Sequence, residues 1–181
     1  MPTDNLLFNC SCNNDLYKTL CGQGFDFSRF DTLDEPLANA KSGEGILVLS
    51  DTYPKPVTKI KDRHLKIAKE KNLKMYIEYP KSFPGLTLAS PKPTKWERIV
   101  AVSDYFHPDL EQNSILGIHG CWFTPMKGQI KGNIHLVVSK IAGYNKAIYG
   151  ITEEVYPILF DVEGLDILVS TSSLSNFITG R

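Results

Sequence analysis

The chain has 181 residues, and its 20 lysines and arginines balance its 20 aspartates and glutamates, so the formal net charge is zero. A nucleic acid or an anionic membrane that is bound mainly by charge needs a basic excess or patch. The composition therefore argues against both partners. The sequence shows neither the roughly 20 apolar residues of a membrane-spanning helix nor a charged-then-apolar secretory leader. We expect a soluble protein, periplasmic or extracellular if a signal peptide was removed and cytoplasmic otherwise.

The first half of the chain alternates predicted helices with predicted strands. Apolar residues at helical spacing, with capping and stop signals around them, predict helices over about 13–24, 32–40 and 57–72. Short apolar runs predict strands at 46–49 and 74–78. This alternation is typical of an α/β domain.

Two further predicted strands, 99–102 and 115–118, lie in the centre of the sequence, and polar and aromatic residues follow each of them. We expect both strands to lie side by side with the strand at 46–49, buried on both faces. In an open α/β sheet, ligands bind in the crevice beyond the carboxyl ends of the strands. The sequence therefore predicts a functional site on a rim that is shared by the loops following these three strands.

The second half of the chain is rich in predicted strands, at 134–141, 148–151, 158–160 and 167–170. Their spacing of about ten residues leaves no room for helices, which favours antiparallel hairpins. We therefore interpret residues 1–181 as a single α/β domain with a mainly parallel sheet and a β-rich C-terminal extension.

Three polar residues that follow predicted strands are candidates for a ligand-binding or catalytic group: Asp51, Asp104 and His107. If the strands are arranged as predicted, these side chains meet in one crevice. Aspartates there act as general bases or ligand anchors, or else they cap the helices that follow. The sequence alone leaves both roles open.

Aromatic residues lie at the same strand ends, namely Tyr53, Tyr105, Phe106 and Trp122. They are placed either to stack on a sugar ring or to close the end of the sheet. The sequence has no glycine-rich phosphate-binding motif, so we expect no nucleotide and no other cofactor.

Cys121 is the candidate nucleophile, because it follows an apolar run that ends in His119 and Gly120. A nucleophile elbow needs small residues two positions on either side, and here those positions hold His119 and Phe123. A reactive cysteine also needs a base, for which His107 and His119 are available. The four cysteines lack the spacing of a zinc site, so we expect free or buried thiols and no metal, with a disulfide as the alternative.

Several phrases of the sequence resemble class I glutamine-amidotransferase-like domains of flavodoxin-like type, which occur in large bacterial carbohydrate-processing proteins. The phrases lie at 45–54, 103–106, 119–121 and 173–181, so the resemblance extends over nearly the whole chain. It implies a flavodoxin-like sheet flanked by helices. It also implies that the chain is the N-terminal part of a longer protein, with a missing C-terminal domain of the same polypeptide as its partner.

The same resemblance bears on catalysis. Active members of this superfamily use a Gly-x-Cys-x-Gly elbow with a downstream His-x-Glu pair. In this chain Phe123 replaces the second glycine after Cys121, and no His-x-Glu follows. The resemblance therefore implies the fold without the amidotransferase activity.

Three functions follow as hypotheses. The first is a non-catalytic accessory domain of a carbohydrate-active protein, which packs against a glycosidase or completes its site. The second is a hydrolase or amidotransferase that uses Cys121 with His107 or His119. The third is a small carbohydrate-binding module that uses the aromatic residues at the strand ends.

Overall fold

The computed structural model of the protein describes residues 5–128, 130–151 and 154–177. Its regular elements, in chain order, are β1 (Leu6–Asn9), α1 (Asp15–Gly22), β2 (Ser28–Phe30), α2 (Asp34–Asn39), β3 (Gly45–Val48), α3 (Asp62–Glu70), β4 (Lys74–Glu78), β5 (Thr87–Leu88), β6 (Lys92–Pro93), β7 (Glu97–Ala101), β8 (Ile115–Leu116), β9 (Trp122–Phe123), β10 (Met126–Lys127), β11 (Ile134–Lys140), β12 (Val155–Asp161), β13 (Ile167–Ser170) and a 3-10 helix (Leu174–Phe177).

Nine strands form one mixed sheet in the order β2-β1-β3-β4-β13-β12-β11-β7-β8. The first five of these strands run parallel to one another. From β13 onward each neighbour is antiparallel to the last. Two small antiparallel pairs, β5 with β10 and β6 with β9, lie outside this sheet.

The predicted fold class, a mainly parallel flavodoxin-like sheet flanked by helices, is therefore wrong. In the part of the chain that the structure describes, four of the nine sheet strands belong to the antiparallel half, and the three α-helices are only six to nine residues long. A parallel connection needs a crossover of about a dozen residues or more, usually a helix. The short links around β11, β12 and β13 do not provide one, and the antiparallel pairing predicted for the C-terminal strands is confirmed.

The parallel half buries one face under α2 and α3. Leu7, Ile46 and Ile77 lie on this face of β1, β3 and β4, and they share one apolar cluster with Leu37 of α2 and Ala68 of α3. Leu37 is fully buried, which stabilises the fold by about 1.5–3 kcal/mol relative to an exposed leucine. This packing fixes the positions of the three central parallel strands.

The other face of the same strands carries a second set of side chains. Phe8 packs there with Leu16 and Leu20 of α1. Tyr76 joins the same cluster, and Glu78 follows it by two residues on β4. Because side chains in a strand alternate between faces, Glu78 lies on the α1 face, at the carboxyl end of its strand.

The predicted common rim is also wrong. Strands β3 and β7 belong to one sheet, but β4, β13, β12 and β11 lie between them, and β7 runs opposite to β3. We use "crevice edge" for the end of the sheet at which the carboxyl ends of β1, β3, β4 and β13 lie. The term refers to strand ends and not to the outermost strands. We use "far edge" for the opposite edge, where β7 and β12 end. The loop after β3 lies at the crevice edge, and the loop after β7 lies at the far edge.

Other boundaries differ in detail. Strands β4 and β13 have the predicted bounds, whereas the helix predicted over 57–72 is shorter, at Asp62–Glu70. The strand predicted at 148–151 is wrong. Ile148 and Tyr149 are exposed and form a turn, and Gly150 has a φ of +82°. This short apolar run therefore lies on the surface and does not pair as a strand.

Candidate functional site

Glu78 ends β4 as a fully buried acidic side chain that accepts five hydrogen bonds. Its Oε2 accepts from the Ser50 N–H at 3.1 Å, the Ser173 hydroxyl at 3.0 Å and the Ser175 hydroxyl at 2.8 Å. Its Oε1 accepts from the Ser175 N–H at 2.7 Å and the Tyr76 hydroxyl at 3.2 Å. A carboxylate is an acceptor with about four lone-pair sites, and five donors satisfy this one in full.

These bonds join three parts of the chain. Ser50 follows β3, and Ser173 and Ser175 belong to the segment after β13 that begins the 3-10 helix. An unpaired buried carboxylate is strongly destabilising, so the network holds the loop after β3 and the 3-10 segment against β4. Ser50 and Ser175 also line the crevice described next, and Glu78 therefore fixes part of its wall.

A crevice of about 300 Å³ opens at the crevice edge of the sheet. Its lining residues come from the loops after β1 and β3, from the start of α1 and from the 3-10 helix. They are Ser11, Asn13, Asn14, Asp15, Ser50, Asp51, Tyr53 and Ser175. This is the position at which α/β sheets usually bind ligands.

Asp51 connects the two loops that border the crevice. Its carboxylate accepts from the Ser11 N–H at 2.6 Å and from the Asn14 side-chain amide at 3.0 Å. Asn14 in turn caps α1, because its side-chain oxygen accepts from the Tyr17 N–H at 3.3 Å. The polar wall is therefore held in place before any ligand arrives.

The charge of the crevice is acidic. Asp15 and Asp51 are among its described lining residues, which include no lysine or arginine and no histidine or cysteine. Such a lining disfavours phosphates and other anions, because like charges in contact are repelled. Hydroxyl, amide and carboxylate groups instead suit a neutral polyhydroxylated ligand.

Tyr53 and Trp122 lie together at the crevice edge. The Tyr53 hydroxyl donates to the Trp122 carbonyl oxygen at 3.3 Å and accepts from the Trp122 N–H. The Ser172 hydroxyl also donates to that carbonyl oxygen, at 2.7 Å. Of the predicted ligand-binding residues, Asp51, Tyr53 and Trp122 are thus brought to one edge.

Asp104, Tyr105 and His107 are not brought to the crevice. They follow β7 and lie exposed near the far edge. The direction of β7 is the reason, because an antiparallel strand delivers its loop to the opposite edge. Asp51, Asp104 and His107 therefore do not meet in one site.

Cys121 lies inside the protein. It is 1% exposed, and its thiol donates to the His119 carbonyl oxygen at 3.6 Å. Its N–H donates to the Thr94 hydroxyl oxygen at 3.2 Å, while the side chain of His119 is exposed. These contacts make Cys121 a packed core thiol, without the open approach that a nucleophile needs.

Glu78, Ser175 and Asn14 build or line the crevice but were not among the residues predicted from the sequence. The sequence did contain a feature that pointed to Glu78. It is an acidic residue at the end of a predicted strand, and the alternation of side chains places it on the same face as Tyr76. No sequence pattern pointed to Ser175, because 97 residues separate it from its partner Glu78.

Within residues 5–128, 130–151 and 154–177, no cluster of three or more histidine, cysteine, aspartate or glutamate side chains is arranged to hold a metal ion. No helix among these residues has the length and apolar character needed to cross a bilayer.

The comparisons with known proteins identify a fold. No protein-family model matches the chain, and no curated protein does. Among solved structures, a ThuA-like protein from Bacteroides uniformis matches with a TM-score of 0.59 at 12% sequence identity. The match covers 97% of this chain and 84% of that one. The two chains share a fold.

Proposed function

We propose that this chain is a glutamine-amidotransferase-like binding domain whose crevice binds a neutral sugar, without reacting with it, for a carbohydrate-processing protein. The observation that carries the proposal is the prearranged crevice lined by serine, asparagine, aspartate and tyrosine side chains. Its volume, about 300 Å³, is at the lower end of small-ligand pockets. This size suits one sugar ring better than a long chain.

The chemistry of the lining supports a sugar. Asparagine and aspartate side chains offer paired donors and acceptors to neighbouring hydroxyl groups. Asp51 uses both carboxylate oxygens on Ser11 and Asn14, and each oxygen has a second lone pair for a ligand hydroxyl. Tyr53 contributes an aromatic side chain to the same wall. Preorganised groups of this kind reduce the ordering cost of binding.

The carbohydrate context comes from the sequence resemblance alone. The ThuA-like neighbour supports a glutamine-amidotransferase-like fold in the coarse sense, although the sheet is mixed and not the flavodoxin-like sheet that the resemblance implied. By that resemblance, the partner is a C-terminal domain of the same polypeptide with a glycosidase-type site. The cysteine-dependent alternative receives no support from the burial of Cys121. A binding module that stacks one sugar between Tyr105 and Trp122 is also disfavoured, since these residues lie at opposite edges of the sheet.

The experiment is a calorimetric titration of the chain with a panel of neutral mono- and disaccharides. It includes sugar phosphates as anionic counterparts. We expect binding of at least one neutral sugar and weaker binding of its phosphate. Asp51→Asn should lower the affinity about tenfold or more, as expected for the loss of a charged hydrogen bond. Asp109→Asn, an exposed acid outside the crevice, is the matched control and should bind like the native chain.

A fluorescence titration gives an independent readout. The chain has two tryptophans, and Trp96 is 78% exposed, so Trp96→Phe leaves Trp122 as the only one. We expect sugar binding to change the Trp122 emission, because Tyr53 joins this residue to the crevice wall. The proposal fails if no neutral sugar binds at millimolar concentration, or if Asp51→Asn binds as tightly as Asp109→Asn.

A further inference from the structure

A serine, a histidine and an aspartate meet at the far edge of the sheet, away from the crevice. The Ser103 hydroxyl oxygen lies 2.9 Å from His135 Nδ1. His135 Nε2 lies 3.5 Å from Asp161 Oδ2. The three residues come from the end of β7, the start of β11 and the end of β12. The sheet register brings these three positions together.

The backbone at His135 departs from the regular strand. The pairing of β11 with β12 shifts between Ile134 and Leu136, so His135 occupies a β-bulge. Bulges aim a side chain differently from its neighbours and are frequent beside active sites. His135 is 4% exposed, and its Nε2 has no hydrogen-bond partner among the residues that the structure describes. A buried ring nitrogen in this state needs an explanation.

Asp161 is held firmly in its position facing the ring. Its Oδ1 accepts from the Asn133 N–H at 2.6 Å, and its Oδ2 accepts from the Asn133 side-chain amide at 2.9 Å. Burial raises the pKa of Asp161, but the bonds from Asn133 and the nearby His135 outweigh it and lower that pKa. Asp161 is therefore a fixed negative charge beside Nε2.

This charge sets the tautomer of His135. A carboxylate next to Nε2 favours the proton on that nitrogen, which leaves Nδ1 as an acceptor. The Ser103 hydroxyl then donates to Nδ1, as a nucleophile donates to its general base. Burial lowers the pKa of His135, while Asp161 opposes that change, so the ring is neutral and able to accept a proton at neutral pH. The 3.5 Å between Nε2 and Asp161 Oδ2 is longer than a good hydrogen bond, and catalytic contacts of this kind often tighten when substrate binds.

The serine is reachable from solvent. Ser103 is half-buried, and Asp104 and Tyr105, which follow it, are exposed. The Tyr105 ring lies against the His135 ring with 4.2 Å between centroids, and Phe106 meets Tyr105 edge-on at 4.9 Å. These rings shield the histidine and offer an apolar surface beside the hydroxyl.

We propose that Ser103 and His135 form a nucleophile–base pair for acyl transfer from carboxylic esters with small apolar acyl groups, with Asp161 as the positioning residue. Ser103 Oγ forms a bond to the ester carbonyl carbon as its proton passes to His135 Nδ1. The bond to the alkoxide leaving group breaks, and the alkoxide takes that proton. Water then attacks the Ser103 acyl ester, with His135 accepting and returning a proton, which frees the acid and the serine. This activity lies beyond the sugar-binding function and does not depend on it.

The test is active-site labelling of the native chain with a fluorophosphonate probe, followed by peptide mapping. This measurement needs no variant, so misfolding cannot confuse it. We expect the label on Ser103, together with slow hydrolysis of p-nitrophenyl acetate. Ser103→Ala should abolish both signals, and His135→Gln should lower the labelling rate about 100-fold or more. Ser114→Ala, between β7 and β8, is the matched control and should react like the native chain.

Asp161 is tested by the pH profile of labelling. For the native chain, the rate should rise through the lowered pKa of His135 and be level at pH 7. Asp161→Asn removes the charge that raises this pKa, so the profile should move to lower pH as the plateau rate falls. The proposal is overturned if the native chain takes no label at Ser103, or if His135→Gln or Asp161→Asn labels with the native rate and profile.

Discussion

Ser175 and Glu78 are joined by two hydrogen bonds although 97 residues of sequence separate them. The Ser175 backbone N–H binds Oε1, and its hydroxyl binds Oε2, so both carboxylate oxygens contact the same residue. Such a paired contact fixes position and orientation together. It places the 3-10 segment against the end of β4, where Ser175 becomes part of the crevice wall.

The first prediction concerns Glu78. Glu78→Gln preserves the shape of the side chain but replaces one acceptor oxygen with an NH₂ group that faces donors. We expect the free energy of unfolding to fall by about 2–4 kcal/mol, since a buried donor loses its acceptor and a charged hydrogen bond is lost. Urea denaturation with a fixed m-value measures this change.

The control for this substitution is Glu70→Gln. Glu70 is exposed and has only a loose ion pair with Lys66 at 3.9 Å, so its replacement should change stability by less than about 0.5 kcal/mol. Equal stability of the Glu78 and Glu70 variants would contradict the role assigned to the buried network.

Local sequence patterns were sufficient to predict the bounds of strands that are buried on both faces. Residues 74–78 and 167–170 have the predicted bounds, because short apolar runs between turn residues favour extended backbone whatever their neighbours are. The polar positions after β3 were also the right place to expect a crevice, and Asp51 and Tyr53 line it.

The direction of β7, in contrast, could not be predicted from local sequence. A buried strand has the same apolar run whether it is paired in parallel or antiparallel, so residues 99–102 carry no local signal of orientation. Direction depends on pairing with β11, which lies more than 30 residues later in the chain. This is why Asp104 and His107 were expected at the crevice and lie at the far edge. Ser103 and His135 became neighbours through the same pairing.

The second prediction concerns thiol reactivity. Cys12 is exposed and Cys121 is buried, so iodoacetamide should modify Cys121 at least roughly 100-fold more slowly in the native protein, through local opening only. Burial, followed by the charge of Asp51, raises the pKa of Cys10 to about 12, so Cys10 should also resist modification at pH 8.

Peptide mapping with and without urea measures these rates, and all three thiols should react in urea. Modification of Cys121 in the native protein as fast as Cys12 would restore the cysteine-dependent hydrolase as a candidate function.

The third prediction concerns stability between pH 5 and 7. Burial lowers the pKa of His64, and the nearby charges of Arg63 and Lys61 lower it further. Asp34, at 3.1 Å from the ring, opposes this change but does not outweigh it. An unfolded histidine titrates near pH 6.5, so the unfolded chain binds a proton here before the native chain does. Stability is then full above about pH 6.5 and falls as the pH drops toward the lowered pKa. His135, whose pKa is also lowered, acts in the same direction.

Urea denaturation at pH 5.5 and 7.5 measures this effect. The native chain should be less stable at pH 5.5, and His64→Gln should show a smaller difference between the two values. A native chain that is equally stable or more stable at pH 5.5 would contradict the depressed histidine pKa.

The fourth prediction concerns Gly132, which has a φ of +143° and packs directly against Asp161. A Cβ at this position would overlap the Asp161 carbonyl oxygen and come within 2.5 Å of Oδ1. Non-glycine residues in such a conformation carry about 1–3 kcal/mol of strain, and the overlap adds to it. Gly132→Ala should therefore lower the free energy of unfolding by more than about 2 kcal/mol. It should also displace Asp161 from His135, which predicts a slower fluorophosphonate reaction at Ser103.

Gly117→Ala is the matched control, because Gly117 has open space around its Cβ position and no positive φ. A Gly132→Ala chain as stable as this control would contradict the close contact between Gly132 and Asp161.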